Sequence, residues 1–226
     1  MLFSFVLLSM ALAAARVCFP PESLPVHTEG EGRVTVVIDA GHGGRDGGAV
    51  ASDGTVEKDL NLAVAKKLAA LFALADVDVI MTRTEDVELA SPDSSHKKRD
   101  DLNARLRMTE GLENAIFVSI HMNQFPVEKY RGLQVYYGTG DARSMVLADG
   151  IREGALVLDG DNARGVKAAG DDIYLLSHIR IPAVLVECGF LSNAQERALL
   201  KTEAYQTKLA ASLFASVMTY LHENSV

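Results

Sequence analysis

Val34-Thr-Val-Val-Ile-Asp39 runs directly into Ala40-Gly-His-Gly-Gly44. The first six residues form a nearly continuous apolar run, the pattern of a strand buried on both faces and hence of a parallel sheet covered by helices. A glycine-rich turn carrying His42 follows at the carboxyl end of that strand. Next, residues 57–74 repeat Leu60, Val64, Leu68 and Leu71 at helical spacing. The alternation continues with a strand over 77–82, a helix over 99–112, a strand over 116–120 and a strand over 133–137 bounded by glycines. A helix over 142–157 comes next, then a late strand over 181–187 with Pro182 near its start, where proline is tolerated. A last helix over 203–222 shows Leu209, Leu213, Val217 and Leu221 four apart. This alternation predicts a single α/β domain over residues 33–224, with a mixed, mostly parallel sheet flanked by helices on both faces. Stretches 84–98 and 158–172 read as exposed loops, and no internal repeat is visible.

The rest of the chain narrows the functional classes. A length of 226 residues with 48% hydrophobic side chains suits one domain with a sizeable core. The net charge of −8 argues against a nucleic-acid partner, since phosphate binding needs a basic surface. Met1 to Ala15 carries no charged side chain, and its apolar run ends in small residues with an Ala-x-Ala exit. Residues 1–18 therefore read as a signal peptide or membrane anchor, although a positive n-region is missing. The competing reading, a buried core helix, is disfavoured by the break at Pro20-Pro21. An extracytoplasmic location follows, secreted or associated with the membrane through this segment, and residues 19–32 read as a linker. Two cysteines, Cys18 and Cys188, are too few for a disulfide framework.

In open α/β sheets ligands bind at the carboxyl ends of the strands. His42 follows the first strand there, His121 ends the third, Glu187 ends the late one, and Glu57 opens the helix after strand one. If these strands are parallel, all four groups converge on one rim. Two histidines and a carboxylate with an open position form the ligand set of catalytic zinc. A second carboxylate off the metal can move the water's proton to a leaving amine. His42, Glu57 and His121 suit the ligand roles and Glu187 the base. Position alone leaves other readings open: His42 as a loop residue, and Glu57 as a carboxylate complementing a helix N-terminus. His27, His96, His178 and His222 read as solvated or structural. No dinucleotide, P-loop or nucleophile-elbow motif is present, and Cys188 is a poor candidate nucleophile.

The motifs Asp39-Ala-Gly-His-Gly-Gly44, Glu57-Lys-Asp59, Ser119-Ile-His-Met-Asn123 and Glu187-Cys-Gly-Phe-Leu-Ser-Asn193 occur in that order. With them the chain resembles the zinc-dependent N-acetylmuramoyl-L-alanine amidases from about residue 33 to 222. The resemblance implies Zn2+ on His42, Glu57 and His121, with Glu187 as the catalytic carboxylate. It also implies hydrolysis of the bond between N-acetylmuramic acid and L-alanine in peptidoglycan. Asn123 and Arg83 are assigned to substrate binding. Met81-Thr-Arg83 and Ile173-Tyr-Leu-Leu-Ser-His178 resemble the germination-specific branch, which helps make muramic lactam in the spore cortex. Thr109-Glu110 departs from the pattern of relatives, within an expected helix. No added wall-binding module is visible, so an accessory lipoprotein or another wall partner is a candidate. Two other classes compete: a zinc-dependent wall peptidase or deacetylase, and a catalytically silent wall-binding protein.

Overall fold

The computed structural model describes residues 33–224. The expectations for residues 1–18 and 19–32 lie outside them. One sheet runs in the order β2-β1-β3-β6-β4-β5, with β1 Thr35–Ala40, β2 Asp78–Met81, β3 Ala115–Asn123, β4 Gln134–Tyr137, β5 Lys167–Ala168 and β6 Ala183–Phe190. β2, β1, β3 and β6 are mutually parallel; β4 runs antiparallel to β6, and β5 follows β4. The helices are α1 Glu57–Leu74, α2 Lys97–Arg107, α3 Arg143–Gly154, α4 Tyr174–His178, α5 Ala194–Leu200 and α6 Glu203–Glu223.

Both faces of the sheet are covered, which is why β1 reads as unbroken apolar sequence. Val36 and Ile38 of β1, Ile116, Val118 and Ile120 of β3, and Val184 and Val186 of β6 face one cluster. Leu68 and Phe72 of α1, Leu147 and Ile151 of α3, and Leu213 and Val217 of α6 fill it from the helix side. Val37, Phe117 and Ala183 face the other way, closed by Leu102 and Leu106 of α2 and Leu175 and Leu176 of α4. Each fully buried aliphatic or aromatic side chain stabilises the fold by about 1.5–3 kcal/mol. The helix-rich face is the larger core. There α3 and α6 come so close that a Cβ on Gly154 would stand 2.0 Å from Ser216 Oγ, and that hydroxyl would have to turn away to admit it.

Local chemistry explains where the elements depart from expectation. α2 ends at Arg107, not at 112, because the Thr109 hydroxyl and amide both turn back to the Leu106 carbonyl at 2.7 and 2.9 Å. Gly111 then takes φ +75°, which closes the turn. β3 and β6 run on to Asn123 and Phe190 because they continue pairing across a bulge. α4 and α5 were not anticipated, and β5 is two residues inside a stretch expected to be loop. α5 is capped by Asn193, whose side chain accepts from Glu196 N. The Glu196 carboxylate in turn receives the amides of Phe190 at 2.6 Å and Gly132 at 2.9 Å, tying β6 to the start of β4. Cys188 is free and buried, on the helix-rich side of β6. Among the described residues no helix is long and apolar enough to cross a membrane.

Phe72 is fully buried, with its ring 5.1 Å from that of Phe214 between α1 and α6. Phe72→Ala should cost about 3–5 kcal/mol and lower Tm by on the order of 10 °C. Thermal unfolding followed by circular dichroism checks this; an unchanged Tm would show that the α1–α6 contact does not stabilise the domain.

Candidate metal centre

Because β1, β3 and β6 are parallel, their carboxyl ends share one edge of the sheet. The loop after β1 is held there by two buried guanidinium groups. Arg105 donates to the carbonyls of Ala40 at 2.9 Å and His42 at 2.7 Å. Arg83 donates to Ala40 at 2.9 Å, Gly41 at 3.0 Å and Lys58 at 2.8 Å. Under these straps His42 adopts φ +62°, a left-handed conformation that side-chain-bearing residues hold only when their surroundings enforce it. Arg105 tolerates burial because Asp39 lies 2.5 Å and Asp101 2.7 Å from it. Asp39 also accepts from Ser119 Oγ at 2.5 Å and Thr82 Oγ1 at 2.8 Å. Burial alone would raise the Asp39 carboxyl, but Arg105 and the two hydroxyls hold it down to about 2.

Glu57 is the first residue of α1. Its own amide and that of Lys58 are satisfied by the carbonyls of Ala49 at 2.9 Å and Gly47 at 3.1 Å. The carboxylate is thereby free to turn into the rim. Its Oε2 accepts from Ala49 N at 2.8 Å, and its Oε1 from Met122 N at 3.1 Å and Asn61 Nδ2 at 3.2 Å. The same Oε1 lies 2.9 Å from His121 Nδ1 and 3.2 Å from His42 Nε2. Burial pushes this carboxyl up, yet the hydrogen bonds and charges of the two imidazoles outweigh it and hold Glu57 far below the usual range. On the other side of His42, Nδ1 is 3.0 Å from Asp46 Oδ1, near enough for an ion pair but without hydrogen-bond alignment. Asp46 is itself paired with Lys98.

His121 on β3 stands in register with Glu187 on β6. Glu187 Oε2 is buried with no hydrogen-bond partner. Burial raises this carboxyl to about 7; Glu57 adds to the shift and His121 opposes it. His121, Asn123 and Glu187 line a cleft of about 370 Å³ walled by Lys98 and Leu102 of α2, Tyr174 of α4 and Tyr136 of β4.

One donor atom each from His42, Glu57 and His121 lies within 4.8 Å of the others. Two glycines make this approach feasible. A Cβ on Gly41 would sit 2.3 Å from the His121 ring, and one on Gly48 would sit 2.5 Å from Glu57 Oε2. The donor set, its crowding and the uncommitted carboxylate beside it fit a divalent metal with an open position. The sequence thus located the four rim residues that the fold brings together. Arg83, expected to contact substrate, is buried under the loop with its donors on carbonyls and does not line the cleft. Asp39, Arg105 and Asn61 were missed. The signal for Asp39 was a carboxylate closing an apolar strand, the same reasoning that singled out Glu187.

A family profile described as N-acetylmuramoyl-L-alanine amidase matches residues 36–219. The chain belongs to this family. The germination-specific N-acetylmuramoyl-L-alanine amidase of Bacillus subtilis (strain 168) is 34% identical over 206 residues, covering 90% of this chain and 84% of the relative. The CwlD amidase of Clostridioides difficile, solved in complex with the GerS lipoprotein, superposes with a TM-score of 0.79 at 40% identity, over 83% of this chain and 98% of its own. An N-acetylmuramoyl-L-alanine amidase from Clostridium difficile 630 gives 0.75 at 30% identity, over 85% and 98%. The amidase therefore acts on the N-acetylmuramoyl-L-alanine bond of peptidoglycan, as the sequence motifs implied, and the family is metal-dependent.

The buried pair that supports the amidase rim has a pH signature. Asp39 moves from 3.8 to about 2 on folding. Its contribution, on the order of 2 kcal/mol, is present above the unfolded value and disappears as pH falls through the folded one. Asp39→Asn should lose about 3–5 kcal/mol at neutral pH by stranding Arg105, and its stability should fall less steeply than wild type between pH 4 and 2. Urea unfolding across that range is the measurement; parallel slopes for the two proteins would refute the assignment.

Proposed function

We propose that the amidase uses zinc held by His42, Glu57 and His121, with Glu187 as the group that moves the proton. The convergence of three donor atoms within 4.8 Å beside a buried, unpartnered carboxylate oxygen supports this reading. Zinc there would supply Lewis-acid polarisation of the scissile carbonyl and an acidified water. Glu187 Oε2, satisfied by no protein donor, accepts the proton of the attacking water and returns it to the departing L-alanine amine, a poor leaving group unless protonated. Asn123, on the same cleft wall, offers an amide to the substrate. Arg83 contributes by fixing the His42 loop.

The same reading extends to the setting. Likeness to a germination-specific amidase, and to one solved with a lipoprotein, supports a role in spore-cortex maturation, stripping peptide from muramic acid before lactam formation. Peptidoglycan lies outside the cytoplasmic membrane, so residues 1–18 serve for export or anchoring, and an accessory lipoprotein is the candidate partner.

Two variants test the chemistry together, with zinc read by elemental analysis and activity by release of L-alanine amino termini. His121→Ala should lose both metal and activity. Glu187→Gln should keep stoichiometric zinc and slow the reaction by ~10²–10⁴-fold. Zinc retained by the first, or lost from the second, would reassign the ligands; an unchanged rate in the second would move the base elsewhere. The biological role is tested by deleting the gene in the source bacterium: its cortex should lack muramic lactam, and a normal lactam content would exclude that role.

A further inference from the structure

The loop between β3 and β4 displays two aromatic rings that the core does not use. Phe125 is 46% and Tyr130 37% exposed, and among the described residues they are the only exposed phenylalanine or tyrosine side chains. Their rings meet edge to face at 5.1 Å, and Tyr130 lies 6.5 Å from the buried ring of Phe190. The Arg164 guanidinium stands 4.9 Å from the Phe190 centroid and 5.6 Å from that of Tyr130, and Lys129 lies 5.7 Å from Tyr130.

This surface is built and held. Ser192 Oγ accepts from Phe125 N at 3.2 Å, and Asn193 Nδ2 donates to the Glu128 carbonyl at 2.9 Å. Arg164 Nε reaches the Arg131 carbonyl at 3.2 Å, and Glu196 receives the Gly132 amide at 2.9 Å. All of these anchors but Arg164 come from the segment just after the strand that carries Glu187. Exposed rings fixed in this way lose little conformational freedom on binding.

The loop is also continuous with the cleft. The bulge in β6 sets Phe190, three residues beyond Glu187, opposite Asn123, two beyond His121. Phe190 thus lies roughly 10 Å along the strand from Glu187, and Asn123 lines the cleft itself. A polymeric substrate whose bond is cut beside Glu187 must leave the cleft over some part of this rim.

We propose that Phe125 and Tyr130 form a stacking platform for sugar rings of the glycan strand next to the muramic acid being processed. This rests on the amidase reading and adds how the enzyme holds a polymer. The apolar C–H face of a pyranose complements an aromatic ring, and both rings of this held pair are in part open to solvent. Lys129 and Arg164 add positive charge, in a chain of net charge −8, where carboxylates of neighbouring stem peptides pass.

The experiment compares two substrates: peptide-bearing glycan strands, and the single muramoyl dipeptide N-acetylmuramoyl-L-alanyl-D-isoglutamine, too short to reach the loop. With Phe125→Ala/Tyr130→Ala in the zinc-loaded full chain, KM on strands should rise about tenfold, equivalent to ~1.4 kcal/mol, with kcat retained. The loss should be confined to strands, with the dipeptide as reference. Phe125→Tyr should restore strand binding and Phe125→Leu should not, because leucine keeps apolar area but no ring face. Binding of a peptide-free disaccharide dimer, followed by NMR titration, should weaken in the double variant in parallel. An unchanged KM on strands, an equal loss on both substrates, or full rescue by leucine would overturn the platform, the last in favour of an apolar protein-docking surface. Absence of new L-alanine amino termini from both substrates with the wild type would instead defeat the amidase reading, while sugar binding by the NMR titration would still decide the platform.

Discussion

Asp39 and Arg105 meet where water is excluded, and neither could remain there alone. An unpaired charge at that depth costs several kcal/mol, so each holds the other in place. Arg105 uses its remaining donors on the carbonyls of Ala40 and His42, and so converts a buried ion pair into a fixed loop path. The left-handed backbone of His42 depends on this, since a residue with a Cβ holds that conformation only at a cost its surroundings must meet. From that backbone follows the direction of the imidazole, which joins that of His121 in keeping the proton affinity of Glu57 low. The site is thus held from beneath by charges that never meet the substrate.

The two faces of the sheet divide the labour. One carries α1, α3 and α6 and most of the apolar burial. The other carries the smaller cluster under α2 and α4, and the cleft lies there. α1 bridges the two roles: its apolar stripe anchors it in the larger core, while its first residue reaches over the strand ends to the two histidines. Placing Glu57 on a well-buried helix gives it a precision that a loop carboxylate would lack.

How much of this was legible follows from the range of the interactions. The parallel strands and α1 were legible because apolar periodicity is local, and the rim followed from topology, since parallel strands place their ends together. The role of Glu57 was not legible from position alone: a carboxylate opening a helix ordinarily answers the dipole, and only the backbone capping by Ala49 and Gly47 frees it. Asp39 announced itself as a charge ending an apolar strand, but its partner lies 66 residues away and no spacing rule connects them. α4 and α5 are too short to show a period, and the antiparallel direction of β4 is set by pairing with β6, which composition does not encode. The place of Arg83 under the loop was hidden for the same reason: an arginine after a strand reads as a free cation until its four carbonyl partners are known.

Cys188 follows Glu187 on β6 and points to the opposite face, into the helix-rich cluster, where it is 1% exposed. Burial raises its thiol well above the usual range, so almost no thiolate exists to react. An alkylating reagent can reach it only when that part of the sheet opens. The sulfur therefore acts as an unmutated clock: its labelling half-time, read by mass spectrometry, counts how often the strand that carries Glu187 lets go of its neighbours.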